Sequence, residues 1–279
     1  MPELPEVETV RRDVAALYTG RRLGEVTVTG RRTVRRHPPE LLSGLVGQRL
    51  TGAGRHGKYL LLSWEDERVL VVHLRMSGQL LAAAPAEPRP VHTHAVLGFG
   101  RAGELRFVDP RTFGELFLAG PAEGTGPAEG TGPAELSHLG PDALGADAAH
   151  LAAALAGRRA PLKSILVDQR AVAGLGNIYA DEVCFDAGVR PDRPAGSLAP
   201  PELQRLARSV RSVLSAAIAG RGSSLRDQQY RDLYGKPGRY QLEHKVYARA
   251  GMPCPSCGHA VQRVPLGARR AFLCPRCQH

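Results

Sequence analysis

Cys254-Pro-Ser-Cys257 and Cys274-Pro-Arg-Cys277 form the stretch of this 279-residue chain whose spacing most restricts the fold. The 16 residues between the two CxxC pairs are typical of a zinc ribbon, in which each knuckle supplies two thiolates at the end of a β-hairpin. A pair of disulfides is the alternative, but such bonds are rare in cytosolic proteins. We therefore expect Cys254, Cys257, Cys274 and Cys277 to hold one structural Zn2+ ion.

The chain between the cysteine pairs is predicted to form the hairpin itself, with strands at residues 261–266 and 270–273. Arg269 and Arg270 lie near its tip, and a metal-stiffened hairpin is suited to presenting arginines to a nucleic-acid groove. Many zinc ribbons instead bind protein or serve only a structural role, so these residues alone leave the partner open. Cys184 stands outside this set on an apolar helical face and is expected to be a core thiol.

Upstream of the zinc ribbon, apolar residues recur at three- and four-residue spacing, which predicts amphipathic helices. The predicted helices cover residues 151–155, 162–167, 178–185 and 203–218. A turn containing Gly174 and Gly176 separates the second helix from the third, and glycine there permits positive φ or close approach to the backbone. Such a turn can present N–H groups to a phosphate; a plain helical hairpin is the alternative.

The amino-terminal half has a different pattern, with short runs of β-branched and aromatic residues separated by turn-forming residues. Strands are predicted at residues 59–64, 69–74, 95–99, 105–108 and 115–118. One helix precedes them, because apolar residues recur at helical spacing from Val7 to Leu17 and Pro5 suits a first helical turn. The first half is therefore predicted to consist mostly of strands, and the second mostly of helices.

Residues 120–135 separate these halves. The segment repeats the hexapeptide Gly-Pro-Ala-Glu-Gly-Thr and has nothing apolar to bury, so it is predicted to be a flexible linker or loop. Two and a half copies are too few and too polar for a solenoid, whose repeats are longer and carry a hydrophobic face.

The charge balance of the chain is strongly basic, with a formal net charge of +10 and a pI near 9.8. A hydrophobic fraction of 43% excludes wholesale disorder, and no apolar run approaches the ~20 residues of a membrane span. The amino terminus has no apolar leader, which predicts a cytoplasmic protein without a membrane partner. A polyanionic partner is favoured, and a basic enzyme with a small substrate is the alternative.

The positive charge is segregated along the chain. Residues 238–279 carry seven bases against one acid, whereas residues 121–157 contain five acids and neither lysine nor arginine. We therefore expect the contacts with a polyanion to come from the carboxyl-terminal segment and the amino-terminal half.

The first residues, Met1-Pro2-Glu3, form an unusual amino terminus. Methionine before so small a residue is normally removed, which would leave Pro2 with a free secondary amine beside carboxylates. An α-amino group has a pKa of roughly 7.7–8.0, so a useful fraction is neutral near pH 7. A secondary amine joined to a sugar C1′ gives an iminium ion that acidifies the C2′ proton and drives elimination. A disordered Pro-Glu tail is the alternative.

Six motifs, in order over nearly the whole chain, resemble those of the bacterial formamidopyrimidine-DNA glycosylases. They are residues 2–9 (PELPEVET), 57–60 (GKYL), 73–78 (HLRMSG), 109–114 (DPRTFG), 174–180 (GLGNIYA) and the terminal CxxC pairs. The resemblance implies an α+β, multidomain fold: an amino-terminal β-sandwich with an amino-terminal helix, a helix-two-turn-helix domain and a zinc-finger β-hairpin. It also implies that DNA binds in a cleft between the halves.

The same resemblance implies roles for four catalytic residues. Pro2 corresponds to the family's Schiff-base nucleophile and Glu3 to its general acid. Lys58 resembles the lysine that binds phosphate beside the lesion and donates a proton in β-elimination; a solvated lysine at a strand start is its alternative. Arg269 aligns with the zinc-finger arginine credited with δ-elimination.

Further positions are implied to bind DNA or to order the DNA-binding site. Met76, Arg111 and Phe113 resemble a triad that fills the gap left by an extruded base; ordinary strand core is the alternative for Met76 and Phe113. The remaining positions are Glu6 (a carboxylate that helps order the site), His92, Asn177, and Arg158 or Lys163.

The chain also departs from the family pattern. Arg75 stands where glycine is common, and Thr112 where a second basic residue is frequent. Residues 223–242, which include the region of the lesion-capping loop, are only weakly similar. These differences leave the choice of lesion less certain than the type of reaction.

The function predicted is a DNA glycosylase and abasic-site lyase of base-excision repair. Its substrates would be oxidised purines (8-oxoguanine and formamidopyrimidines) in double-stranded DNA, cleaved by β,δ-elimination without a nucleotide or redox cofactor. The alternatives are an endonuclease VIII-like enzyme for oxidised pyrimidines and a damaged-DNA-binding protein without catalysis. We expect a bacterial, cytoplasmic, nucleoid-associated monomer. Its predicted divisions are a catalytic domain (1–119), the linker (120–135), the helix-two-turn-helix domain (136–237) and the zinc finger (238–279).

Overall fold

The computed structural model describes residues 2–30, 32–120, 133–225 and 230–279 of the chain. The chain divides into two compact units. The first comprises Met1–Ser137 and Gly220–Arg239, and the second comprises His138–Ala219 and Tyr240–His279. Most of the repeat-bearing segment predicted to be a linker lies outside the described residues.

Helix α1 (Leu4–Tyr18) opens the first unit. Glu3 is its N-cap, and Pro5 stands in the first turn, where a missing N–H costs no helical hydrogen bond. The predicted periodicity produces one buried face, since Val7, Val10 and Val14 are each at most 1% exposed. This face packs against two strands of the following sheet.

Two four-stranded antiparallel sheets follow α1. The strands are β1 (Glu25–Val28), β2 (Leu50–His56), β3 (Tyr59–Trp64), β4 (Val69–His73), β5 (Gln79–Ala83), β6 (Thr93–Gly98), β7 (Glu104–Val108) and β8 (Glu115–Ala119). One sheet has the order β1-β6-β7-β5 and the other has the order β2-β3-β4-β8. One hydrophobic core draws residues from α1 and from both sheets.

The five predicted strands are confirmed as β3, β4, β6, β7 and β8. Strands β1, β2 and β5 were not predicted. Most of their residues are only half-buried, so they lack the strong apolar signal of the central strands. In β2, Gly52 and Gly54 further weaken the β pattern.

The second unit begins with four helices: α2 (Ala148–Leu155), α3 (Leu162–Leu166), α4 (Asn177–Asp186) and α5 (Pro200–Ala219). They confirm the four predicted helices. Helix α4 packs against both α3 and α5. Cys184 on α4 is fully buried, which confirms the expected core thiol, and its burial raises the pKa of the thiol.

The second unit ends in a β-hairpin made of β9 (Gln262–Leu266) and β10 (Arg269–Leu273), with Arg269 paired to Leu266. The hairpin lies between the two cysteine pairs, as predicted. The α+β class, the amino-terminal helix with its sheets and the terminal hairpin are therefore confirmed. The domain boundaries stay a prediction. No helix in the described part of the chain has the length and apolar composition needed to cross a bilayer.

Candidate active site and nucleic-acid interface

The amino terminus is held in place by a reciprocal pair of hydrogen bonds. The Glu3 side chain accepts a bond from the backbone of Glu6, and the Glu6 Oε2 atom accepts one from Glu3 N at 2.8 Å. This capping box satisfies two N–H groups at the start of α1. Pro2, Glu3 and Glu6 are all buried. The nucleophile predicted at Pro2 therefore directly precedes a rigid helix start.

Glu6 also joins the amino terminus to a distant part of the chain. Its second oxygen, Oε1, accepts a hydrogen bond from Ser223 N at 2.7 Å. Gly222 makes this approach possible, because a Cβ there would lie 2.7 Å from the same oxygen. Only 1% of the surface of Glu6 is exposed, and its two hydrogen bonds hold the amino terminus, which is consistent with the ordering role predicted for it.

Lys58 lies in the two-residue turn between β2 and β3. Gly57 has a φ of +54° at the first position of that turn, a conformation that favours glycine in tight hairpins. The turn is tied to α1 through Arg55, which donates one hydrogen bond to Gly57 O at 3.0 Å and another to the Glu8 carboxylate at 3.2 Å. The two elements that carry Pro2 and Lys58 are thus braced together.

The surroundings of Lys58 are buried and positively charged. Lys58 is 5% exposed. Burial lowers the pKa of the neighbouring His73 well below its ordinary value, and the positive charges of Arg75 and Lys58 lower it further. His73 Nδ1 accepts a hydrogen bond from Arg75 N, so the imidazole is neutral. The solvated lysine considered as an alternative is wrong.

Met76, Arg111 and Phe113, the three residues predicted to fill the gap left by an extruded base, form what we call the wedge. They lie on loops. Met76 follows β4 and is 42% exposed, and Phe113 follows β7 and is 46% exposed. The guanidinium of Arg111, which is itself exposed, lies over the Phe113 ring at 4.9 Å. The alternative of strand core for Met76 and Phe113 is therefore wrong. His92 is likewise exposed, in the loop before β6.

Lys163 requires a correction. The sequence offered it, or Arg158, as a phosphate contact, but its side chain on α3 is completely buried. Lys163 Nζ donates to Asp181 Oδ2 at 2.8 Å and to Arg270 O at 2.6 Å. A lysine among Leu162, Ile165 and Leu166 already had apolar neighbours, which was the signal for burial. Arg158 is exposed and remains the candidate, as does Asn177, exposed at the first position of α4.

These bonds of Lys163 hold the zinc hairpin against α4. Asp181 Oδ2 also accepts a hydrogen bond from Phe272 N at 3.1 Å, so the ion pair is bonded to two residues of β10, Arg270 and Phe272. The next residue, Glu182, accepts bonds from three consecutive backbone N–H groups, at residues 245–247. Arg269 is exposed one residue before the gripped Arg270 carbonyl. Its place on the hairpin is therefore fixed by buried charges that the sequence analysis missed.

The four terminal cysteines are arranged as a metal site. Their Sγ atoms all lie within 4.8 Å of one another, with Cys254 to Cys277 at 3.8 Å and Cys257 to Cys274 at 3.5 Å. A tetrahedral zinc with Zn–S bonds of about 2.3 Å requires S···S distances of roughly 3.8 Å. The donor set and its spacing therefore fit one structural Zn2+ ion, as predicted.

Comparison with known proteins identifies the family. The family model for the formamidopyrimidine-DNA glycosylase N-terminal domain matches residues 1–116, and the model for the H2TH domain of the same enzymes matches residues 139–229. A model described as a zinc finger found in FPG and IleRS matches residues 251–279. A formamidopyrimidine-DNA glycosylase of Moorella thermoacetica is 47% identical over 95% of this chain and 94% of its own length. The chain belongs to the formamidopyrimidine-DNA glycosylase family.

Other family members cover the chain equally well. The formamidopyrimidine-DNA glycosylase of Laribacter hongkongensis is 44% identical over the full length of both chains. Among solved structures, the MutM (Fpg) protein of Thermus thermophilus is 39% identical with a TM-score of 0.83, covering 99% of this chain and 98% of its own. Lactococcus lactis Fpg, in a complex with DNA containing an abasic site, is 31% identical with a TM-score of 0.86, covering 99% of both chains. The family resemblance predicted from the ordered motifs is confirmed.

Proposed function

We propose that this member of the formamidopyrimidine-DNA glycosylase family is a bifunctional DNA glycosylase and abasic-site lyase of base-excision repair. It would remove oxidised purines such as 8-oxoguanine and formamidopyrimidines from double-stranded DNA. The observation that carries the proposal is the amino terminus, where Pro2 precedes a capping box of two buried glutamates. Solved complexes of relatives with DNA containing an abasic site or a formamidopyrimidine support it.

The chemistry begins with the amine of Pro2 after removal of Met1. The neutral nitrogen attacks C1′ of the damaged nucleotide, and the bond from C1′ to the base breaks. Glu3, next to the nucleophile, is the group proposed to deliver the proton that opens the sugar and releases the base. Because the proline nitrogen is secondary, the resulting iminium ion cannot lose its charge by N-deprotonation.

That iminium charge drives the two eliminations. It acidifies the C2′ proton, and loss of this proton expels the 3′ phosphate in β-elimination. Lys58, positively charged and adjacent to the neutral His73, is proposed to bind phosphate beside the lesion and to donate a proton in this step. Arg269, presented on the zinc hairpin, is proposed to assist the second elimination, which expels the 5′ phosphate.

The reaction requires the damaged nucleotide to leave the base stack. Extrusion costs a few kcal/mol, less for a damaged or poorly paired base. Met76 and Phe113 are exposed apolar side chains on loops, suited to filling the gap, and Arg111 can hydrogen-bond the orphaned partner base. Arg158 and Asn177 in the second unit, together with His92, are proposed to contact phosphates.

The surrounding assignments complete the proposal. The protein would act as a cytoplasmic monomer on double-stranded DNA, without a nucleotide or redox cofactor. A structural zinc on the four cysteines would stiffen the hairpin that carries Arg269. The domain boundaries proposed from the sequence place the catalytic part in residues 1–119 and the zinc finger in residues 238–279.

The test of the chemistry is borohydride trapping on an abasic duplex. The wild-type protein should form a covalent adduct, and Pro2→Gly should lose most of it. A wild-type protein that gives no adduct would support a binding protein without catalysis. Trapping by Pro2→Gly at the wild-type rate, through another amine, would refute the assignment of the nucleophile.

The choice of lesion is tested separately by comparing excision from 8-oxoguanine and thymine glycol duplexes under single-turnover conditions. We expect faster excision of 8-oxoguanine. A preference for thymine glycol would instead assign the protein to the endonuclease VIII-like activity, with the same nucleophile.

A further inference from the structure

Asp109, at the end of β7, is a fully buried carboxylate that no assigned role uses. It accepts hydrogen bonds from three donors: the Ser77 hydroxyl, Arg111 N at 3.2 Å and Gly114 N at 2.7 Å. Bonds to a charged acceptor inside a protein are stronger than neutral ones and costly to lose. The carboxylate therefore fastens the loop after β4, which contains Ser77, to the loop after β7.

The backbone of Asp109 fastens a third loop. Its N–H donates to His92 O at 3.0 Å, and the His94 ring Nε2 lies 2.9 Å from its carbonyl oxygen. Each of the three loops carries a side chain proposed to touch DNA: Met76 on the first, Arg111 and Phe113 on the second, and His92 on the third. Asp109 thus connects the three loops that carry Met76, Arg111, Phe113 and His92.

These loops are held in a conformation that costs energy. Arg75, Thr112 and His92 have positive φ angles of 52°, 54° and 67°, in the left-handed region that disfavours residues with a Cβ. Such residues persist only where surrounding interactions over-determine the backbone. Arg75 precedes Met76, and Thr112 stands between Arg111 and Phe113, so the strain lies at the wedge itself.

The packing beneath the loops is equally constrained. A Cβ at Gly114 would lie 2.5 Å from the Phe107 ring and 3.1 Å from the Asp109 carboxylate, and one at Gly78 would lie 2.5 Å from Leu74 O. Only glycine therefore permits this approach. The exposed side chains of Met76 and Phe113 therefore lie on loops in which Gly78 and Gly114 leave no room for a Cβ.

We propose that Asp109 is the positioning residue of the wedge, setting Met76, Arg111 and Phe113 at the separation needed to enter the gap left by an extruded nucleotide. Asp109 is buried and does not touch the DNA itself. The inference rests on the proposed function, because it requires a gap opposite an intact strand. Single-stranded DNA has no such gap, so Asp109 should not be needed for the reaction there.

The experiment compares duplex and single-stranded DNA containing the same abasic site. Asp109→Asn keeps the shape but replaces one acceptor oxygen with an NH2 group, so the three donors cannot all be satisfied. Borohydride trapping on the duplex should fall about tenfold, and trapping on the single strand should stay within about twofold of wild type. Asp66→Asn, in the exposed turn after β3, is the matched control and should leave both rates unchanged.

A second variant isolates one arm of the arrangement. Ser77→Ala removes only the bond to the loop of Met76, and folding is less threatened by it than by the change at Asp109. We expect the same selective loss on the duplex, smaller in size. This variant keeps the inference testable if Asp109→Asn fails to fold.

A binding measurement separates the inference from the proposed chemistry. When 2-aminopurine is placed opposite the abasic site, binding of the wild-type protein should change the 2-aminopurine fluorescence, whether or not an adduct forms. Both variants should reduce that change. An equal loss of trapping on duplex and single strand, or an unaltered fluorescence response, would overturn the role of Asp109. If the wild-type protein forms no adduct but still changes the fluorescence, and the variants reduce that change, only the lyase activity is refuted.

Discussion

Replacing Lys163 by methionine tests whether the lysine is a buried structural cation or a contact for phosphate. Both side chains of its ion pair with Asp181 are 0% exposed. Methionine fills a similar volume but leaves the Asp181 carboxylate and the Arg270 carbonyl without their donor. Removing one partner of a buried pair typically costs about 3–5 kcal/mol. At a urea dependence of about 2 kcal/mol per molar, the unfolding midpoint should fall by roughly 2 M.

The cost should depend on pH in a defined direction. Burial raises the pKa of Asp181 to about 7, although Lys163 and the Phe272 N–H favour the charged form. Without Lys163, the buried carboxyl can avoid its penalty only by binding a proton. An acid whose pKa is higher in the folded state loses stability as pH rises from its unfolded pKa to its folded pKa. Lys163→Met should therefore be less destabilising at pH 5.5 than at pH 8.

Urea titrations followed by two signals give the assay. Trp64, the single tryptophan, reports the first unit, whereas far-UV circular dichroism is dominated by helices α2–α5 of the second. The dichroism transition should shift more than the tryptophan transition. The double variant Lys163→Met/Asp181→Asn removes both charges and should recover part of the loss.

Arg158→Gln is the matched control because Arg158 is exposed. It should keep the wild-type unfolding curve while weakening DNA binding and lowering the slope of log affinity against log salt by about 1. If Lys163→Met unfolds like wild type but lowers the salt slope, Lys163 is a phosphate contact and its structural role is refuted.

Three further predictions follow from the described contacts. Burial alone would raise the pKa of Glu8, but hydrogen bonds from Arg11 and Arg12 outweigh burial and lower the pKa to about 2. Glu8→Gln should therefore lower the free energy of unfolding by about 2 kcal/mol at pH 7, allowing for solvent screening. In acid titrations this difference from wild type should disappear as the pH falls from 4.5 to about 2. Removal of zinc by a chelator should unfold the hairpin and weaken DNA binding. A zinc-free protein that binds DNA with the wild-type affinity would contradict this. Arg269→Ala should slow the second elimination and leave the product of β-elimination on sequencing gels, whereas an unchanged product pattern would exclude the role of Arg269.

Much of the fold follows from short-range pattern. Helix α1 was predictable because Val7, Val10 and Val14 repeat at helical spacing after a proline, and the zinc hairpin because cysteine spacing limits its geometry. Strand β2 was not predictable, since Gly52 and Gly54 weaken its pattern and its pairing with β3 supplies the stability. The position of Gly220–Arg239 in the first unit depends on long-range contacts such as Ser223 with Glu6, which no local periodicity records.

The site divides in the same way. Pro2, Glu3 and Lys58 are proposed from motifs whose residue types suit the chemistry. Asp109 stood inside a quoted motif, yet its function depends on three loops that meet only in the folded chain. Lys163 was misassigned because its partners, the Asp181 carboxylate and the Arg270 carbonyl, are distant in sequence. Its apolar neighbours on α3 were the local signal for burial.

The most direct test of the central claim identifies the atom that attacks the sugar. After borohydride trapping on an abasic duplex, the adduct should be digested and its peptides mapped by mass spectrometry. We expect an adduct on the amino-terminal peptide that begins at Pro2, because the capping box of Glu3 and Glu6 holds this end of the chain in place. An adduct found on the peptide containing Lys58, or no adduct at all, would contradict the account.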